Sequence, residues 1–200
     1  MGKKIRVTVY NEFIHEQEYE NIRKVYPDGI HGCIAAFLEE EADITVRTAT
    51  FEMPEHGLSE EVLADTDVLI FWSHARQDEF SDEVAERVRQ HVLMGMGLLA
   101  LHSAHFSKVL KKLLGTSMTL KWRHGDRERL WCIDPTHPIA AGIPEQIEIG
   151  QEEMYRSSSW TRSEMYRTFR RCLFFCMKRK LLPQNFVGTK ISQYAEKIIS

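Results

Sequence analysis

An α/β domain on a doubly wound parallel sheet is the fold class this sequence predicts, on three observations. Two continuous apolar runs, DVLIFW (67–72) and LLAL (98–101), have the length and composition of strands buried on both faces. Segments with apolar residues at helical spacing lie between the strand-like runs, so the two kinds of element alternate along the chain. Crossovers between parallel strands are right-handed, which brings helices onto the sheet.

The elements follow in order. Ile5, Val7 and Val9 alternate with Arg6 and Thr8, a strand pattern, and after the turn YPDG the residues Ile30, Ile34, Phe37 and Leu38 fall on one helical face. Residues 43–48 alternate Ile44 and Val46 with polar residues, a second strand, and DVLIFW is the third. Ser81 followed by Asp82 and Glu83 reads as a helix N-cap with acids that suit the dipole, and Val84, Val88 and Val92 give that helix its apolar face up to the glycines of MGMG. LLAL is the fourth strand. From Phe106 a further helix turns Val109, Leu110, Leu113 and Leu114 inward and stops at Gly115. Beyond it, residues 119–123 and 129–134 read as two short half-exposed strands joined by the polar run RHGDRE, an excursion from the sheet.

The 200 residues, 43% hydrophobic, suffice for one domain with a sizeable core, and a net charge of -3 gives no reason to expect nucleic acid or an anionic membrane as partner. No apolar run approaches the ~20 residues of a membrane span, and MGKKIRVTVYNEF lacks a signal-peptide core. Cys33, Cys132, Cys172 and Cys176 show no paired zinc spacing and suit reduced thiols, so a cytoplasmic location is expected.

The averages conceal a break after Tyr155. Up to that residue the chain carries a net -11 and all nine histidines; from Arg156 onward the net is +8, with no aspartate and a basic MKRK beside FFC. Two readings stand for 156–200: a basic amphipathic tail for an acidic surface, or out-of-frame translation replacing the native end of the fold. The second is preferred.

HEQEYENIRKVYPDGIHGCIAAFL, IFWSHARQDEFSDEVAERV, GMGLLALHSAHFSKVLKKLLGT, LKWR, RERLW, HPIAAGI and EEMY stand in this order, and through them the chain resembles the ThuA family of trehalose-utilisation proteins from the first strand to Tyr155. The resemblance implies a class I glutamine amidotransferase-like, flavodoxin-type sheet and a link to the breakdown of trehalose or a related disaccharide. It also marks two departures. The family tends to carry WGHxxH where Trp72, Ser73, His74 and Gln77 stand here, so one histidine is missing. After EEMY the family continues with GEFF and a late PGHE motif, which this chain lacks. The expected organisation is therefore an incomplete ThuA-like domain over 1–155, without its C-terminal strand and helix, and a non-family basic tail over 156–200. A sheet edge left open in this way makes homo-oligomers plausible.

Ligands of open parallel sheets sit at the carboxyl ends of the strands. Asn11, Glu12 and His15 follow the first strand, Ser73 and His74 the third, His102, Ser103 and His105 the fourth. ALHSAH holds no cysteine, so glutamine hydrolysis by a Cys, His, Glu triad is rejected. Ser103 reads either as a nucleophile beside an imidazole base or as a helix N-cap, the cap being favoured because HSAH lacks the GxSxG elbow. His102, His105 and His74, with a carboxylate such as Glu12 or Glu153, can hold a divalent metal such as zinc; equally, these histidines can bond loop backbone.

His15 and Glu16 lack the second histidine of HExxH and are expected in a loop. His31 stands near a helix start, where it meets a ligand or caps. Trp122 and Arg123 can stack on and bond a sugar ring, or pack as ordinary surface. Glu152 and Glu153 are acid–base candidates or a solvated pair. His137 suits a turn, and His56, His91 and His124 are expected at the surface.

The reading in function is an enzyme that processes a sugar derivative in disaccharide catabolism, with His102, Ser103, His74 and Glu153 as catalytic candidates. Asn11, Glu12, His15, His31, Ser73, His105, Trp122 and Arg123 are the substrate-binding candidates. The alternatives are a non-catalytic sugar-binding or interaction protein of the same fold, and an inactive truncated copy. The expected partner is a small-molecule sugar, with no nucleic acid and no membrane.

Overall fold

The structure, a computed structural model, describes residues 4–137 and 140–157, the side chains of 152–157 excepted. The described residues fall into two compact units, 4–118 and 119–157.

In the first unit, β1 (Ile5–Asn11), β2 (Ile44–Thr50), β3 (Val68–Trp72) and β4 (Gly97–Leu101) form one sheet in the order β2-β1-β3-β4, with every pair parallel. Alternation along the strands divides the apolar side chains between two faces. Tyr10, Ala49, Leu69 and Phe71 join a core with Leu63 of α4 (Glu60–Ala64), Val84, Val88 and Val92 of α5 (Asp82–Met94), and Val109 and Leu110 of α6 (Lys108–Leu114). Tyr10 stacks on Phe71 with ring centroids 4.6 Å apart, and Phe80 meets both rings edge-on. Their neighbours in the strands, among them Val7, Val9, Val68 and Ile70, are buried as well, and α3 (Gly29–Glu39) packs on β1 and β2 through the segment holding buried Ile34 and Leu38. A sheet covered on both sides needs strands that are apolar throughout, and VLIFW is buried at all five positions.

The helix ends obey capping chemistry. Ser81 Oγ accepts from Val84 N at 3.3 Å, and Gly115 closes α6 in the left-handed conformation at φ +67°. The N-cap of α6 is Ser107, whose Oγ accepts from Leu110 N; Ser103 lies in a 3-10 turn over His102–Phe106 and caps no helix there, which corrects the cap expected at that serine. Ser107→Ala is expected to cost about 1 kcal/mol in urea unfolding, with the slope of the transition unchanged.

Two further expectations are revised. His15 and Glu16 are helical, in the single turn α1 (His15–Glu18), followed by α2 (Glu20–Val25). Where two strands were expected over 119–134, the second unit has one: β5 (Leu120–Trp131) runs through the polar RHGDRE and pairs antiparallel with β6 (Gln146–Ser157), with register shifts between Arg123 and Glu128. The bulged, exposed ribbon tolerates polar residues that a buried strand would not. The expectations for the tail concern residues of which 158–200 lie outside the described residues. Among the described residues no helix is long and apolar enough to cross a membrane.

Candidate functional site

Register places the site. Asn11 of β1 stands beside Trp72 of β3, and Trp72 beside Leu101 of β4. One residue further on, Glu12, Ser73 and His102 therefore leave the sheet in a row at its carboxyl edge. Two residues in these exits hold left-handed backbone without being glycine, Phe13 at φ +58° and His102 at φ +47°, an arrangement that costs of order 1 kcal/mol each and clusters at working sites.

Glu12 organises the exit from β3. Its side chain is 1% exposed, and its carboxylate accepts from Ser73 Oγ at 2.6 Å, from Ala75 N at 2.6 Å and from Arg76 N at 3.2 Å. Gln77 completes the loop, because its buried amide donates to the carbonyls of Ser73 at 3.0 Å and Ser103 at 2.8 Å and so ties the β3 exit to the β4 exit. His74, held between these anchors, has Nδ1 2.7 Å from Ser103 Oγ. Ser103 Oγ also lies 2.9 Å from Ser73 O, a carbonyl that Gln77 Nε2 reaches as well; when the hydroxyl donates to that carbonyl, the neutral ring of His74 donates from Nδ1.

Rings gather around this point. His15 lies 5.0 Å from His74 and 5.9 Å from Trp72, centroid to centroid, and His102 stands nearly parallel to His74 at 6.1 Å. His15 Nδ1 is a buried nitrogen with no hydrogen-bond partner among the described residues.

A second network starts at Asn11. Its side-chain amide donates to Glu16 Oε1 at 2.7 Å and approaches His31 Nδ1 at 3.1 Å, while its Oδ1 accepts from Phe13 N. Glu16, 1% exposed, also accepts from Ile30 N at 2.9 Å and so satisfies an amide at the start of α3, where Asp28 makes no side-chain cap. Burial lowers the pKa of His31 from 6.5, against the opposing pull of Glu16 and Asp28. Burial lowers that of His105 too, the backbone of His102 opposing it and the charges of His102 and Lys111 adding to it.

These two imidazoles give stability a pH dependence. Each resists its proton more in the folded chain than in the unfolded one, so the unfolded state binds protons first, and stability is complete above the unfolded value near 6.5 and is lost as pH falls below it. Melting temperatures are expected to drop between pH 7.5 and 5.5, with a shallower slope in His31→Gln.

Asn11, Glu12, His15, Ser73, His74, His102, Ser103 and His105 lie at or just beyond the strand ends, and His31, in the first turn of α3, meets the end of β1 at Asn11. Trp122 and Arg123 belong to the second unit, where Trp122 is 61% exposed and Arg123 pairs with Asp126. The side chains of Glu152 and Glu153 lie outside the described residues. Among the described residues no group of three or more His, Cys, Asp or Glu is arranged to hold a metal ion. His56 and His91 are not the surface residues expected. His56 Nε2 accepts from Ser81 N at 3.0 Å while its other nitrogen reaches Phe51 O at 2.7 Å, and buried His91 meets Glu60 at 2.9 Å. The structural duties of Glu16 and Gln77 escaped sequence reasoning, since an isolated polar residue gives no sign of its partners elsewhere in the chain.

Strand order 2-1-3-4 defines a flavodoxin-like α/β protein, and the polar cluster beyond β1 and β3, where the order reverses, is its candidate site. Residues 6–170 match the family model ThuA, trehalose utilisation, and the chain belongs to that family. Among solved structures it is similar to a ThuA-like protein from Bacteroides uniformis, with a TM-score of 0.51 and 13% identity, over 77% of this chain and 61% of that one. The chain thus spans less than two thirds of that relative's length. Comparison with curated proteins gave no match.

Proposed function

We propose that this protein processes a sugar derivative in the catabolism of trehalose or a related disaccharide, with His74 as the general base. The observation that carries the reading is the contact of His74 Nδ1 with Ser103 Oγ at 2.7 Å beside that of Ser103 Oγ with the Ser73 carbonyl at 2.9 Å, read as a chain that donates from the imidazole to the carbonyl. An imidazole protonated on Nδ1 presents Nε2 as the basic atom, and a base anchored in one orientation loses little freedom when substrate arrives. Ser103 serves in this arrangement to orient His74, since its proton is committed to a carbonyl rather than offered to the imidazole. Rings of His15 and His102 flank His74 and suit the apolar faces of a sugar. Membership of a family described as trehalose utilisation supports this substrate class.

The test is incubation of the purified protein with trehalose and with its singly oxidised derivative, followed by proton NMR. Consumption of either one at pH 7.5 supports the enzyme reading. Saturable binding without turnover would replace it by a non-catalytic sugar-binding protein, and neither binding nor turnover would remove both.

A further inference from the structure

We infer that His31 is a hydrogen-bond donor of this site, fixed as the Nε2–H tautomer by a carboxylate–amide–imidazole relay from Glu16 through Asn11, so that it recognises an accepting oxygen of the ligand. The inference rests on the sugar-processing reading for the identity of the ligand, but not for the tautomer.

The relay leaves no freedom in its assignments. Asn11 must turn its oxygen to the Phe13 amide, which can only donate, and its nitrogen to Glu16 Oε1, a carboxylate oxygen that accepts. The same nitrogen lies 3.1 Å from His31 Nδ1. An amide nitrogen offers hydrogens and no lone pair, so Nδ1 accepts, and the proton of the neutral ring resides on Nε2.

A carboxylate bonded directly to an imidazole draws the proton to the near nitrogen and makes the far one a base. Here the interposed amide reverses that polarity and makes the far nitrogen a donor. The relay at His74 runs the other way, because it ends on a carbonyl acceptor. With His74 read in that direction, the site presents imidazoles of opposite character, His31 donating and His74 accepting.

The ring is seated in a built cradle. Gly29, at φ +78°, lies under it, and a Cβ at that position would come within 2.6 Å of His31 Nδ1 and 2.9 Å of Phe13. Phe13 meets the ring edge-on, with centroids 4.9 Å apart. Half-burial there favours the neutral ring, as the lowered pKa indicates. A neutral Nε2–H suits an oxygen that accepts without bringing a charge: a carbonyl, glycosidic or ring oxygen, or a hydroxyl acting as acceptor.

The experiment is a long-range proton–nitrogen correlation spectrum of the full-length labelled protein above pH 7 without ligand, with His31 assigned by the signal that disappears in His31→Gln. The expected pattern has Nε2 protonated and Nδ1 bare; an Nδ1–H pattern, or a tautomeric mixture, would overturn the assignment. Asn11→Asp should invert the pattern, and an unchanged pattern in that folded variant would show that Asn11 does not set it. With trehalose as probe, His31→Leu should weaken binding about tenfold, and His31→Gln, which keeps a donor at similar reach, by less. Equal weakening would remove the donor role. Absence of trehalose binding to the unaltered protein would count against the proposed function alone, since the tautomer is read without ligand.

Discussion

Glu12→Ala is expected to lower stability by about 3–5 kcal/mol, the sum of leaving the Ser73 hydroxyl and the Ala75 and Arg76 amides without their acceptor. The Ser73 hydroxyl is buried, and a donor stripped of its partner there costs more than the net worth of the bond it made because water does not reach it, while the part-exposed Ala75 and Arg76 amides lose charge-assisted bonds. The loss extends beyond the carboxylate, since His74 stands in the loop it pins. Glu12→Gln keeps one acceptor oxygen and should cost distinctly less. Urea unfolding of the two variants checks the ranking, and a loss under about 1 kcal/mol in Glu12→Ala would mean that the loop finds its form without Glu12.

His74→Ala is expected to reduce turnover of the sugar derivative by about 10²–10⁴-fold, the range that a positioned acid or base supplies. Its effect on stability should be small, because the imidazole is exposed and the loop's anchors are Glu12 and Gln77. Ser103→Ala offers a graded comparison. The base remains but its orienting partner is gone, so kcat should fall by less than in His74→Ala while KM changes little. A His74→Ala enzyme with undiminished kcat would assign the base elsewhere.

The parallel sheet was legible because its strands are buried on both faces, and such strands must be apolar at nearly every position, as VLIFW is. The cap at Ser81 was legible for a similar reason: serine followed by acids before a periodic apolar face has few other meanings. The site was legible only as a neighbourhood. Strand ends located Glu12, Ser73, His74 and His102, whereas the partners that give them roles lie far away in sequence. Glu12 is 61 residues from Ser73, and Gln77 is 26 from Ser103.

Elsewhere the local signal misled. HEQE shows no apolar period in its single turn, so α1 reads as loop, and RHGDRE reads as a connection because an exposed ribbon needs no apolar face. Ser103 and Ser107 both precede apolar residues at helical spacing, and the positive φ of His102 together with the 3-10 turn moves the cap to the later serine. The tautomers of His31 and His74 depend on whether a neighbour is an amide or a carbonyl, which no sequence pattern displays.

The most direct measurement for the central claim, that a sugar derivative is handled at the carboxyl edge of this sheet, is a backbone-amide NMR titration with trehalose and then with its singly oxidised derivative. Saturable shifts confined to Asn11–His15, His31, Ser73–Gln77 and His102–His105 are the expected result. No saturable shift with either compound, or shifts confined to the β5–β6 ribbon, would contradict it.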